Sequence, residues 1–340
     1  MKSHITVYCL IHGFKIINDV SILNDKILLL SKNVQDISNF LGQEHMQQFK
    51  IHMGSYFANN LYQNNHLVFN IIEEKEVSED SRLFMEKVCN CYLNEYQNIC
   101  NFLWFIKDSS VNIHLILAGS IELQNLSSAI SQDLFYNSNG ELKETEFSLH
   151  QIKKALYFRK KLYELLNKKE VIFNQVFKEG IRSQPNSFNY IDFTKENRID
   201  VAFRFLNIAR SSNFVPHKIF SYMSFFEALF TINNKMVSES IAKRVCKYLN
   251  KSGDEEKTLY ELLKKSYDIR SRFVHANLGK YTSNEILIVS SKTDDVVREV
   301  FIKIINNNSE AQIFIGPKGK FEKWIKNLWL YNNSTAKITA

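Results

Sequence analysis

Leu259-Tyr-Glu-Leu-Leu-Lys-Lys-Ser-Tyr-Asp-Ile-Arg-Ser-Arg-Phe-Val-His275, closed by Ala276-Asn-Leu-Gly279, is the stretch on which the reading of the chain turns. Leu259, Leu262, Leu263, Ser266, Ile269, Phe273 and Val274 recur at three- and four-residue spacing, which predicts one amphipathic helix with a buried stripe. Gly279 supplies a stop shortly after the last apolar position. Arg270, Ser271, Arg272 and His275 gather in the last turn and a half. A permanent cation, a hydroxyl and an imidazole that titrates near neutrality are the ingredients of acid–base chemistry on a phosphodiester.

A plainer reading competes with that one. Cations near a helix C-terminus complement the dipole, and Asp268 and Arg272, four apart, suit an ordinary surface ion pair. Two other helices weigh against it. Phe225-Phe-Glu227-Ala-Leu-Phe230 places a carboxylate in an almost wholly apolar helix, and Ile241-Ala-Lys-Arg244-Val-Cys-Lys-Tyr-Leu249 places a cation between apolar residues. Buried charge is costly unless paired, so Glu227 and Arg244 are expected to pair with each other or with polar groups of the Arg270 helix.

These three ordered pieces resemble the HEPN superfamily and most of all its Apea-like branch. Tyr267-Asp-Ile-Arg270-Ser271-Arg-Phe-Val-His275 looks like its Arg-x4-6-His signature, and the Glu227 and Arg244 segments look like its first two core helices. The resemblance covers about residues 195–310. One departure is Ala276, where the family often has Gly directly after the His. The resemblance implies a helical bundle acting as a metal-independent endoribonuclease, with no cofactor, in bacterial anti-phage defence or abortive infection. His275 would then be general base or acid, Arg270 would hold the scissile phosphate, and Ser271 would orient substrate or imidazole. Glu227, Arg244, Asp268 and Arg272 would support them. A non-catalytic bundle that binds RNA, a nucleotide or a protein is the rival expectation.

Helix geometry constrains assembly. Arg270 and His275 are five apart and diverge by about 140° around a regular helix. Either the helix opens near His275, or a second copy of the chain completes the site. The resemblance implies the second, a homodimer with facing motif helices.

The 340 residues suggest two domains. With 26 Phe and 15 Tyr but only 3 Pro and 10 Gly, the composition favours long helices over a turn-rich β-sandwich. No apolar run is long enough for a membrane span, and the start of the chain is too polar and strand-like for a signal peptide, so a cytoplasmic protein is expected. The five cysteines are odd in number and contain no Cys-x-x-Cys, which points to reduced core thiols and away from a zinc site. The net charge of +7 permits a polyanionic partner such as RNA. Its richest cluster, Lys153, Lys154, Arg159, Lys160 and Lys161, is the candidate RNA-binding face.

The fold class expected is α+β. Residues 1–142 read as a mixed α/β domain; the resemblance implies for it a sensor or regulatory role with a phage-derived or regulatory protein as ligand, and its residues do not say which. Residues 143–340 read as the helical bundle with a C-terminal helix. In the first domain, Ile5–Ile11, Ile27–Leu30, His66–Ile72 and Ser110–Ala118 read as strands, with a helix from Ser81 to Lys107 whose apolar face is Phe84, Val88, Cys91, Tyr92, Ile99, Leu103 and Ile106. Val34–Phe49 reads as a short helix and Gln132–Tyr136 as a last strand. His114, inside an apolar run, reads as a core histidine satisfied by a hydrogen bond. In the second domain, Ser148 and Thr194 are expected helix caps, Val171–Lys178 a short helix, Glu285–Val289 a β-type run and Asp294–Asn306 a helix. His217–Ile232, apolar nearly all round, must lie at the centre of the bundle.

Overall fold

The structure, a computed structural model, describes residues 3–17, 28–31, 66–73, 81–120, 125–131, 134–166, 196–232 and 237–330. Expectations for Val34–Phe49, Val171–Lys178 and the Thr194 cap lie outside the described residues. The chain is a helix-rich α+β protein, with nine helices and seven strands among the described residues. It divides into two compact units, residues 1–135 with 142–157, and residues 136–141 with 158–340. The division falls inside a helix and not at the turn near residue 142. A short strand just before that helix is paired into the first unit and carries the helix start with it.

The first unit is built on a five-stranded sheet in the order β3-β4-β1-β5-β6. Its strands are β1 (Ser3–His12), β3 (Leu28–Ser31), β4 (His66–Glu73), β5 (Asn112–Ser120) and β6 (Asn125–Ile130). Every pairing is antiparallel. The edge strand β6 replaces the strand expected near Gln132–Tyr136; residues 134–136 are not extended into a ladder. A second, parallel pair joins β2 (Phe14–Ile16) to β7 (Thr145–Phe147). Helix α1 (Ser81–Leu103) packs on β5 and β6. Its buried stripe is Met85, Val88, Cys89, Tyr92, Tyr96, Cys100 and Leu103, so Phe84, Cys91 and Ile99 lie at its margin. β1 and β5 change register between Leu10 and Ile11, so that His114 falls at a bulge between Ile113 and Leu115, its carbonyl accepting the Ser131 N–H at 3.2 Å. Its ring meets His12 at 4.7 Å between centroids, and burial followed by the nearby His114 lowers the His12 pKa.

Helix α2 (Leu149–Leu165) begins with the expected Ser148 cap: Gln151 N–H donates to Ser148 Oγ at 3.3 Å, and Ser148 N–H to Gln151 Oε1 at 3.0 Å. The second unit then stacks α3 (Arg198–Ser211), α4 (Val215–Phe230), α5 (Val237–Tyr248), α6 (Gly253–Val274), α7 (Ser283–Asn306), α8 (Asn308–Ile315) and α9 (Lys318–Leu330). Asn197, in a capping box with Asp200, starts α3. Helix α4 packs against α3, α5, α6 and α7, the central position its all-round apolar surface requires.

Residues Glu285–Val289 correct the sequence reading: they are the first turns of α7, not a strand. Thr282 and Glu285 form a capping box, and Ile286, Val289, Thr293, Val297, Val300 and Ile304 then recur at helical spacing along one buried face. Four successive apolar residues imitate a strand until the positions beyond them are counted. The terminal helix packs within its own unit, where Trp324 meets Phe314 at 5.3 Å and Tyr248 at 6.0 Å. Among the described residues no helix is long and apolar enough to cross a membrane.

Candidate functional site

Helix α6 is held in place by the face the sequence assigns to the core. Leu259, Leu263, Ser266 and Ile269 are buried, and Ser266 Oγ sits 2.8 Å from Thr293 Oγ1 of α7. That contact fixes the rotation of α6 and so sets where Arg270 points. The Arg270 guanidinium lies 5.3 Å from the Phe220 ring centroid and 5.4 Å from that of Tyr267. Its Nη2 is 3.6 Å from Glu227 Oε1, with both side chains 26% exposed. At that distance the contact is an ion pair and not a hydrogen bond. Burial raises the Glu227 pKa and the Arg270 cation only partly opposes it, as a loose pair in a half-buried site should.

Glu227 is thus paired from the Arg270 helix, one of the two expected solutions. Arg244 is not its partner. Arg244 Nη1 donates at 2.6 Å to the carbonyl of Phe230, the last residue of α4. That carbonyl is among the four that a helix end leaves without an intrahelical donor, so the cation there also answers the dipole. Burial lowers the Arg244 pKa.

Asp268 anchors the chain beyond the helix. It accepts from Arg272 Nε at 2.8 Å, Tyr281 Oη at 2.6 Å and Lys280 Nζ at 3.3 Å. The Tyr281 hydroxyl, with help from Arg272 and Lys280, holds its carboxyl down to about 2. Arg272 is therefore neutralised locally, as its spacing from Asp268 predicts. Lys280 and Tyr281 were not anticipated, because they stand beyond Gly279 where the helical pattern has ended.

Regular helix stops at Val274, and His275 is the C-cap at φ −96° and ψ 15°. Ala276 N–H donates to the Phe273 carbonyl at 3.1 Å and Asn277 N–H to the Arg272 carbonyl at 2.8 Å, a Schellman closure. Ala276 adopts φ +53°, the left-handed region usually reserved for Gly. The position where the motif departs from Gly is therefore the position that wants one. Ala276→Gly is expected to stabilise the protein by about 1 kcal/mol, read as a higher urea midpoint at unchanged slope. A midpoint that falls would mean the terminus is not left-handed.

His275 is exposed and Ser271 half-buried, its carbonyl accepting the His275 N–H at 3.2 Å. The structure thus gathers Arg270 and Glu227 with two rings in the bundle wall and leaves His275 at the helix end in solvent. Phe220 was not anticipated as a neighbour of Arg270, nor His217 as a neighbour of Phe220. Inside a helix apolar nearly all round, one aromatic cannot be singled out.

The basic cluster separates by depth. Lys153, Lys154 and Lys160 are exposed, and Lys161 pairs with Glu164 at 3.7 Å. Arg159 departs from the expected surface face: it is 5% exposed, with its guanidinium 5.1 Å from the Tyr163 ring. Its position follows from helical spacing, since Ile152, Ala155, Arg159 and Leu162 share the buried side of α2.

Among the described residues no three or more His, Cys, Asp or Glu come together in a group fit to hold a metal ion. All five cysteines are free thiols, four of them buried, and burial is the main cause that raises the pKa of Cys9, Cys89 and Cys246. Compared with protein-family models, curated proteins and solved structures, the chain matches none.

Proposed function

We propose that the second unit is an HEPN-like, metal-independent endoribonuclease whose composite site forms in a homodimer, and that it serves in bacterial anti-phage defence. The reading rests on the resemblance of the Glu227, Arg244 and Arg270–His275 segments. One structural observation supports it: Arg270 is held in the bundle wall by Glu227 and Phe220, while His275 stands exposed at the end of the same helix. A fixed cation and an accessible imidazole are the two groups that 2′-hydroxyl attack on a phosphodiester requires. The 2′-oxygen bonds to phosphorus, the 5′-oxygen leaves, and an imidazole takes the first proton or supplies the second. Arg270 stabilises the charge that builds on the phosphoryl oxygens.

The 2′-hydroxyl nucleophile makes the substrate RNA. His275 lies one residue past the regular helix that carries Arg270, and, as the resemblance implies, a second protomer brings its His275 to this Arg270. The first unit acts as sensor or regulator of the second.

A second reading has its own observation. Arg270 already has a carboxylate and two rings as neighbours, which suits a purely architectural cation in a bundle that binds RNA without cutting it. Incubating the purified chain with single-stranded RNA, with and without EDTA, tests the proposal. Cleavage is expected in both. Cleavage that disappears with EDTA overturns the metal-free mechanism, and no cleavage in either favours the binding module.

A further inference from the structure

The neighbourhood of Arg270 contains rings for which neither the motif nor the ion pair with Glu227 accounts. Phe214, the N-cap of α4, is 54% exposed, and its centroid lies 5.8 Å from that of Phe273. Phe273 in turn lies 6.3 Å from Phe220 and 6.4 Å from His217. His217 is stacked on Phe220 at 6.1 Å with the planes 19° apart. Phe220 also carries the Arg270 guanidinium. The start of α4 and the last turns of α6 therefore contribute one contiguous row of rings, Phe273 tilted by 52–70° from the other three, that ends in a cation.

The row is not core. His217, Phe220 and Phe273 are only half-buried, and Val274 beside them is 55% exposed. Contiguous aromatic surface left in water marks a binding site more often than an isolated exposed ring does. The chemistry of the row narrows the occupant. Arg270 Nε is buried without a hydrogen bond among the described residues, and Glu227 at 3.6 Å is too far to accept one from Nη2. The buried Nε is closed to a ligand, and the Nη nitrogens of the partly exposed side chain are the donors an anion would take. His217 is oriented by Ser212 Oγ, 3.2 Å from its Nδ1, with its ring stacked on Phe220.

Flat π surfaces beside an unsatisfied guanidinium match a nucleotide, whose base stacks while its phosphate takes the cation. A second copy of the chain would cover the same rings, but it would offer the Arg270 donors no phosphate. The net charge of +7 also favours a polyanion.

We propose that the exposed Phe214 ring is the stacking platform for an unpaired base of single-stranded RNA, with the tilted Phe273, Phe220 and His217 rings forming the wall behind it and the adjoining phosphate on Arg270. A base can reach the platform only when it is unstacked from its neighbours, so the substrate class is single strands, loops and ends, not duplex. This deepens the RNA-directed reading of the bundle and rests on it.

Binding is measured with the full chain by anisotropy of a fluorescein-labelled, 2′-O-methylated single-stranded oligoribonucleotide, which lacks the attacking hydroxyl and stays intact. Wild type is expected to prefer the single strand over the same sequence in a duplex. Phe214→Ala and Phe214→Leu should each weaken binding roughly 5- to 150-fold, the range of one stacked base, while Phe214→Trp retains it. Phe214 is exposed, so these variants should melt with wild type.

Phe214→Leu binding as tightly as wild type would overturn the platform, because apolar area alone would then suffice. Phe214→Ala binding as tightly would also overturn it. So would a loss of binding that follows only from a dimer becoming a monomer by sedimentation, which would make the row a protein interface. The catalytic reading fails separately: if RNA is never cut but the Phe214 series behaves as expected, the nuclease is wrong and the platform stands. If cutting depends on His275 while Phe214→Ala leaves binding unchanged, the platform is wrong and the nuclease stands.

Discussion

His275→Ala is expected to lower RNA cleavage by about 10²–10⁴-fold, the typical contribution of a general acid or base, with no change in melting temperature. The structure makes the second half of that expectation firm. His275 is exposed at the C-cap, and its backbone N–H bond to Ser271 survives truncation of the side chain. Arg270→Ala should lower cleavage at least as far, but it should not be silent in stability. It removes the cation from a half-buried Glu227 and uncovers one side of Phe220, which should cost on the order of 1–2 kcal/mol. Pairing it with Glu227→Gln removes the orphaned charge and separates the lost chemistry from the lost fold. Arg272→Ala is the control, because Asp268 already holds that guanidinium at 2.8 Å. Cleavage that falls equally in Arg272→Ala and Arg270→Ala would reduce the motif to general electrostatics. Wild-type cleavage in His275→Ala would remove the imidazole from the mechanism.

The parts of the chain that were legible beforehand are those where a single face decides. Helix α6 shows its stripe because Leu259, Leu263, Ser266 and Ile269 have one side to bury. β1 and β5 are runs of apolar residues that pair with each other in the centre of the sheet. What could not be read depends on a partner remote in sequence. Strand β6, Asn125-Leu-Ser-Ser-Ala-Ile130, has the composition of a loop and is extended because β5 offers it an edge. The parallel β2–β7 pair joins two three-residue segments that carry no periodicity of their own.

The candidate site divides along the same line. Arg270, Asp268 and Arg272 were visible with their local relations, since i,i+4 spacing fixes them. That Glu227 turns to Arg270 while Arg244 turns to the α4 carboxyl end depends on how three helices are rotated, which sequence spacing does not reveal. The depth of Arg159 is a different case. Helical spacing puts it on the buried side of α2, while its charge argues for the surface.

A large stability effect is expected at Asp294. The sequence reading put it at the start of a helix, where a carboxylate serves as a cap. It stands instead in the middle of α7, 1% exposed, accepting a 2.7 Å hydrogen bond from Tyr222 Oη of α4 and ion-paired with Arg298. Tyr222 is fully buried, so α4 is tied to α7 by a hydroxyl–carboxylate bond inside the core. Asp294→Ala would leave the Arg298 cation and a buried phenol without that acceptor, which should cost about 3–5 kcal/mol. For a unit of this size the loss corresponds to a drop in melting temperature of roughly 6–20 °C.

Asp295 makes the comparison internal. It pairs with the same Arg298, 2.8 Å from Nη1, but its own side chain is 65% exposed. Asp295→Ala should therefore cost no more than about 1 kcal/mol, as exposed ion pairs usually do. Because Tyr222 lies on the helix that carries Phe220 and Glu227, loosening it should also lower cleavage at temperatures below the melt. If Asp294→Ala and Asp295→Ala melt together, the buried acceptor is not what fixes α4. The placement of Arg270 would then rest on the Ser266–Thr293 contact and on the packing of α4 against α6.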